Sequence, residues 1–484
     1  MWVAALVLGA ALDTAAADPV ASSSEPRRRP TEPTVPAPSP VRHEPTAAGV
    51  AGDPPPGEES GRRDEIDPGD SAGRQIARGV LWLPKVLFEL AMAPIHAAVW
   101  AEDRYQLTHL YVRTFFNKDQ SIGLYPTASY ETAVSADVGA RFIHKNLFGS
   151  HELLSLHART GALFGDGYRE AALGTFRTGD LLHRVQLGID ASYDRRPADP
   201  FYGIGNGDLA PSPEAPIDPR RDDRAIETYH RYRELRLAIL GEVHATDELR
   251  VRTSGSVTDL RFARSDSGAP IDSVYDSAGL VGFDTGVRHA YGELEVRWDS
   301  RRRISRWEPP DLHAGGSLIS AFAGRDHRLT GDGIEFWRYG LDLQHFWRIA
   351  RGPRVVVARV HGEGITGERD EIPFTQLPTL GGALYLRGYP SGRFRDRVAG
   401  FGTLQYEWDV SHFIDAYVFT DVGRVFPSLE DVTWSGLRAG YGIGLELHSD
   451  RGFLLEGSLA SSIDGGVVVS LSLNPVLDTR PRWR

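Results

Sequence analysis

Leu437-Arg438-Ala439-Gly440-Tyr441-Gly442-Ile443-Gly444-Leu445-Glu446-Leu447-His448 has a repeat of two. Leu437, Ala439, Tyr441, Ile443, Leu445 and Leu447 alternate with Arg438, three glycines, Glu446 and His448. Successive side chains of a strand point to opposite faces, so one face here is apolar and the other polar. Val134-Ser135-Ala136-Asp137-Val138-Gly139-Ala140-Arg141-Phe142 follows the same rule, with apolar residues on even positions. Val467, Val469, Leu471 and Leu473 alternate with Val468, Ser470, Ser472 and Asn474. A half-buried strand of a soluble protein gives the same alternation. Two features favour a membrane barrel. The segments run to about ten residues or more, the length of a tilted span. Their polar face also carries Arg, Glu and Asp, which suits a wet lumen.

Working outward from these stretches, period-two segments fall near 120–131, 134–146, 150–164, 167–178, 181–195, 225–243, 247–264, 280–299, 312–324, 335–350 and 353–363. Five more fall near 400–410, 414–426, 436–448, 452–461 and 465–475. This pattern predicts an all-β fold, an antiparallel transmembrane barrel over 105–477. Its sixteen strands make the even number expected of a single-chain barrel. Long charged connections near 196–224, 264–279, 325–334 and 364–398 are the expected extracellular loops. Short turns such as Ser449-Asp450-Arg451-Gly452 are expected to face the periplasm.

The chain has 484 residues, a net charge of −11 and no cysteine. Disulfides and thiolate metal sites are thereby excluded. The acidic balance argues against a nucleic-acid partner. A mean hydropathy of −0.30 is too low for a helical membrane bundle but is compatible with a barrel. Residues 1–17 contain an apolar run from Trp2 to Leu12, followed by Ala15-Ala16-Ala17. They read as a secretory signal, although no Lys or Arg precedes the run. Residues 18–70 are rich in Pro, Glu, Ser and Ala, and are expected to form a disordered periplasmic linker. Residues 71–104 hold an amphipathic helix pattern interrupted by Pro84 and Pro94. Two placements stay open for it: flat on the inner leaflet, or docked as a plug under the lumen.

The longest loop holds Leu380-Gly381-Gly382-Ala383-Leu384-Tyr385-Leu386-Arg387-Gly388-Tyr389-Pro390. On the next strand, Leu404, Tyr406, Trp408 and Val410 form the apolar face, so Gln405 and Glu407 point inward. On the strand after it, Ala416, Val418 and Val422 face lipid, so Phe419, Asp421 and Gly423 point inward. A Gly-rich loop bearing an arginine, beside strands with inward acids, suggests a loop folded back into the barrel.

These residues carry a resemblance to the outer-membrane assembly and translocation barrels, the BamA/TamA family of bacterial surface antigens. Leu386-Arg387-Gly388-Tyr389 resembles that family's signature in its sixth extracellular loop. Glu407 in Leu404-Gln405-Tyr406-Glu407-Trp408 stands where the family has an inward glutamate. Phe419-Thr420-Asp421-Val422-Gly423 matches its Phe-x-Asp-x-Gly. Phe201-Tyr202-Gly203-Ile204-Gly205-Asn206 matches an aromatic-Gly-x-Gly element of an earlier loop. The resemblance covers about residues 105–475. It implies that Arg387, Gly388 and Tyr389 enter the lumen, and that Arg387 pairs with Glu407 and Asp421 while Gly423 clears space on the wall. An arginine fork suits carboxylates. A merely solvated Arg387 would instead be replaceable by alanine without effect on folding. Family members usually carry periplasmic POTRA modules. The segment before 105 is too short for one, so the chain is expected to be a POTRA-less member.

The implied function is insertion or translocation of proteins, or of lipids, at the bacterial outer membrane. Outer-membrane lipids and nascent outer-membrane or secreted proteins are its expected partners. The rival reading is a passive, structural, plugged pore. A second implied feature is a weak seam between first and last strands, since an unpaired edge recruits other strands. Gly465 and Gly466 would weaken the start of the last strand and Pro475 would end it; equally, all three could simply bound an ordinary strand. The sequence contains no phosphate-binding loop or H-E-x-x-H helix, and its sixteen histidines lack ligand spacing. No catalytic residue, metal or cofactor is expected, and the chain is not expected to be an enzyme.

Overall fold

The computed structural model describes residues 113–119, 121–131, 135–161, 169–179, 184–221, 223–265, 267–301, 315–330, 335–349, 354–411, 414–449 and 452–472, with Arg104 and Leu181. The signal segment 1–17, the linker 18–70, the amphipathic segment up to 103, Pro475 and the tail 478–484 lie outside the described residues.

One antiparallel sheet of sixteen strands forms the body of the molecule, and every strand pairs with its neighbours in sequence. The strands are β1 (Ile122–Glu131), β2 (Ser135–His144), β3 (Leu153–Thr160), β4 (Glu170–Arg177), β5 (Val185–Phe201), β6 (Thr228–His244), β7 (Leu249–Arg264) and β8 (Val287–Asp299). They continue with β9 (Gly316–Arg328), β10 (Glu335–Arg348), β11 (Arg354–Ile365), β12 (Val398–Ser411), β13 (Ile414–Phe426), β14 (Arg438–Ser449), β15 (Gly452–Ser462) and β16 (Val467–Ser472). The first and last strands lie beside each other, so the sheet curls back on itself. This is the sixteen-stranded architecture expected from the alternation.

The wall is inverted relative to a soluble protein. Leu187, Ile189, Leu235, Leu237, Ile239, Leu294, Leu341, Val360, Leu404 and Ile443 are exposed on the outside. Asp190, Glu242, Glu293, Glu295, Asp342, Arg359, Gln405 and Glu456 are buried on the inside. Such a pattern is stable only where the outer solvent is hydrocarbon. Buried charge needs partners, and ion pairs across neighbouring strands supply several of them. Arg177 meets Asp190 at 2.8 Å, Arg252 meets Glu242 at 2.5 Å, and Arg359 meets Asp342 at 2.6 Å.

β5 runs to Phe201, past the expected end near 195. Alternation fails over Arg195-Arg196-Pro197-Ala198-Asp199 because the strand has risen above the lipid there. A register shift between Arg196 and Asp199 absorbs the proline. The loops at this end, 202–227, 265–286 and 366–397, pack on one another. Phe201, Ile204, Ile226, Ile271, Val274, Tyr275, Phe374 and Leu377 form a buried apolar core among them. These loops therefore make a cap with a conventional interior over one mouth of the barrel. At the opposite end the connections are mostly short, as between His244 and Leu249. In bacterial barrels generally, short turns face the periplasm and long loops the exterior.

Candidate functional site: the internal loop and its wall

The loop joining β11 to β12 enters the lumen. A two-residue ladder, Thr379–Leu380 with Phe394–Arg395, closes its neck. The tip between these residues makes a tight excursion, with Leu386 at φ 61° and fully buried. A left-handed leucine is strained and persists only where its surroundings hold it. Here it sets the direction of the next residue, Arg387.

Arg387 is 2% exposed and its partner Asp421 is 1% exposed. The Arg387 backbone N–H and Nε both donate to Asp421 Oδ2, at 2.8 and 2.9 Å. Nη2 donates to Asp421 Oδ1 and to Thr403 Oγ1, each at 2.9 Å. Nη1 donates to Gln405 Oε1 at 2.8 Å. The guanidinium stacks on Phe419, its carbon 3.4 Å from the ring centroid. Thr403 also donates to Asp421, and the two stand opposite each other in register on β12 and β13. The planar fork is thus matched by a carboxylate, an amide, a hydroxyl and an aromatic face.

Glu407 is not the second carboxylate partner that the resemblance implied. It lies opposite Tyr417, four residues along β12 from Thr403, roughly 13 Å at the rise of a strand. Gln405 fills the interval, accepting from Arg387 and donating through Nε2 to Glu407 Oε1 at 2.8 Å. Thr403 was not singled out in the sequence, although its shared parity with Gln405 and its threonine type were visible there.

Gly388 sits at φ 96°, and a Cβ there would meet the Ser461 carbonyl oxygen at 2.4 Å. Gly440 of β14, which the sequence did not single out, makes an even closer approach. Its Cβ would fall 1.8 Å from the Arg387 carbonyl oxygen. Gly423 faces the loop neck, where a Cβ would meet Phe401 at 2.9 Å and Leu380 at 3.2 Å. The Tyr389 hydroxyl donates to Asp464 Oδ2 at 2.9 Å. Burial, together with that carboxylate, pushes Tyr389 up to about 12, so it stays a donor. Arg438 binds the same Asp464 at 2.9 Å.

Gly465 and Gly466 do not begin the last strand. At φ 88° and 84° they form the turn between β15 and β16, and β16 starts at Val467. Consecutive left-handed positions suit glycine in a tight turn. This turn places Asp464 under Tyr389.

The Phe201–Asn206 element docks on the same loop. Gly205 N–H donates to the Arg395 carbonyl at 2.7 Å. Asn206 grips Val425 of β13 through both amide atoms, at 2.7 and 3.1 Å. Arg393 reaches the Gly207 carbonyl at 2.6 Å. A second contact of the tip with the wall is Tyr385, stacked on His361 at 4.8 Å and beneath Arg359 at 5.3 Å. Among the described residues, no group of three or more His, Cys, Asp or Glu has the arrangement of a metal site.

Apolar outside, charged inside, with an internal loop fixed to its own wall, this is an outer-membrane barrel. Residues 316–463 match the Omp85 superfamily domain. The matched span holds the loop, Asp421 and Gly423. Similar solved structures include BamA from Haemophilus ducreyi lacking POTRA domains 1–3, at 14% identity and a TM-score of 0.49, over 73% of this chain and 70% of that one. CdiB from Acinetobacter baumannii is 10% identical with a TM-score of 0.44, over 72% of this chain and 58% of its own. CdiB from Escherichia coli is 9% identical with a TM-score of 0.45, over 72% and 61%. No curated protein matches the sequence.

Proposed function

We propose that this barrel inserts or translocates polypeptides at the outer membrane, with the internal loop acting as a brace for the strands that lead to the seam. One observation carries this reading. The loop tip fastens to β12 and β13 through Arg387, to β14 and β15 through the close approaches at Gly440 and Ser461, and to the last turn through Tyr389. Four adjacent strands on one side of the seam are thereby held as a unit beside β16 and β1. A brace of this kind lets the edge of β16 separate from β1 without loss of the wall, and a freed edge templates an incoming strand.

The test is depletion of the protein in its host, followed by quantitative outer-membrane and surface proteomics. The proposal expects loss of specific barrels or surface proteins, reproduced by Arg387→Ala with the variant barrel still present. An unchanged proteome under complete depletion contradicts it. The apolar cap over one mouth supports a second reading, a passive plugged pore or structural barrel. That reading expects the unchanged proteome, with single-channel conductance rising on removal of the cap loops.

A further inference from the structure

The outer face of β5, β6 and β7 carries a feature that the internal loop does not explain. Arg195, Arg233 and Arg261 stand directly opposite one another in register on these three adjacent strands. All three lie on the lipid-facing parity. Leu187, Ile189, Leu235, Leu237, Ile239 and Val257 occupy the same face of the same strands and are exposed. Like charges directly opposite on neighbouring strands repel. The local acids compensate only in part. Arg195 has Glu170 at 3.3 Å, with both side chains about one-third exposed. Arg261 shares Asp259 with Arg288, at 2.8 and 2.7 Å. Arg233, the middle of the row, is exposed and has no ion-pair partner among the described residues.

The height of this row in the membrane identifies its counter-charge. At the other end of the same strands, Val185, Val243, Val251 and Val296 form an apolar row in register. Arg195 lies ten residues beyond Val185, about 33 Å along the strand. At the usual tilt of about 40° this is roughly 25 Å of height, the thickness of a barrel's apolar band. The arginines therefore sit just above the hydrocarbon on the side of the long loops, at the level of outer-leaflet headgroups. The periplasmic rim of these strands shows valines instead, so the charge is placed on one leaflet only.

We propose that Arg195, Arg233 and Arg261 bind the phosphate groups of a phosphorylated glycolipid of the outer leaflet. Guanidinium forks suit phosphate oxygens bidentately, and basic clusters beside the membrane recognise anionic headgroups. A bound phosphate also relieves the repulsion built into the row. The site would anchor the tall wall of the barrel in the outer leaflet, away from the seam.

The test uses the full chain in a nonionic detergent and two probes: bis-phosphorylated lipid A, and the same lipid with both phosphates removed. Binding is read by native mass spectrometry and thermophoresis. The proposal expects preference for the phosphorylated lipid. It expects a loss of at least about tenfold in affinity for Arg195→Gln/Arg233→Gln/Arg261→Gln. Arg221→Gln, an 86% exposed arginine in the cap loop 202–227, should bind as the parent does. Heat-modifiable mobility reports folding of each variant. Should the triple variant fail to fold, Arg233→Gln alone is read, and a loss of about threefold is expected. Equal binding of the two lipids, or unchanged affinity in the folded variants, overturns the proposal.

Discussion

The internal loop is held in two places by opposite physics. At its tip, Arg387 is buried with Asp421, Thr403, Gln405 and Phe419 inside a polar lumen. Around its neck, Phe374 and Leu377 are buried among Phe201, Ile271 and Tyr275 in the cap. Hydrocarbon surrounds the wall at the first site, so polar groups turn inward and pair. Water surrounds the cap, so apolar groups turn inward and pack. The tip hold is geometrically specific, whereas the cap hold is large in area and tolerant of detail. A buried ion pair adds little net stability, but breaking one strands a charge. The comparison assigns position to the tip and cohesion to the cap.

The largest effect is expected from halving the tip pair. Asp421→Ala leaves Arg387 buried without its carboxylate, at a cost of about 3–5 kcal/mol. Urea unfolding in detergent, followed by heat-modifiable mobility, measures it. Replacing both residues, Arg387→Leu with Asp421→Leu, should recover much of that loss, since paired removal strands nothing. If the double variant is as unstable as the single, the pair contributes net attraction and the division of labour drawn above is wrong.

Next comes the cap. Phe374→Ala removes a fully buried ring and should cost about 3 kcal/mol or somewhat more. Its effect should appear as protease sensitivity in loops 202–227 and 265–286, with the Arg387 contacts intact. Cleavage confined to the loop tip would reverse the assignment of roles.

A smaller effect is expected at the close approach. Gly440→Ala puts a methyl group 1.8 Å from the Arg387 carbonyl oxygen, so strand and loop must separate. Overpacking of this kind costs about 1–3 kcal/mol. Hydrogen exchange of the Arg387 amide, bonded to Asp421 at 2.8 Å, should accelerate. Protection unchanged from the parent would show that the tip accommodates the methyl group.

The smallest effects mark the edge of the site. Tyr389→Phe removes one hydrogen bond to Asp464 and should cost about 1 kcal/mol. Glu407→Gln, one residue removed from the guanidinium by Gln405, should leave the loop position as it is. A displaced loop in Glu407→Gln, seen by the same amide exchange, would restore Glu407 as a direct partner.

Much of this contrast was legible in the sequence, and for a physical reason. Alternation reports a surface between two solvents, so the wall from Leu404 to Val422 and the inward aim of Gln405, Asp421 and Gly423 could be read directly. The choice of partner could not. Parity put Gln405 and Glu407 on one face, but only the register, with Thr403 opposite Asp421, sets which rung meets the loop. The cap core was also invisible. Ile271, Tyr275 and Phe374 come from short helical turns and irregular backbone, which have no repeat to read. Gly465 and Gly466 were seen as unusual, yet their role in the turn that presents Asp464 depends on backbone angles.

The most direct test of the account is a distance measurement on the loop tip. The chain has no native cysteine, so spin labels can be placed cleanly at Ser391→Cys in the loop and Leu404→Cys on the lipid face of β12. Pulsed dipolar spectroscopy should give one narrow distance in the parent, and a broad, longer distribution when Asp421→Ala is added. A distribution left narrow and unshifted by Asp421→Ala would contradict the claim that the Arg387–Asp421 pair positions the loop.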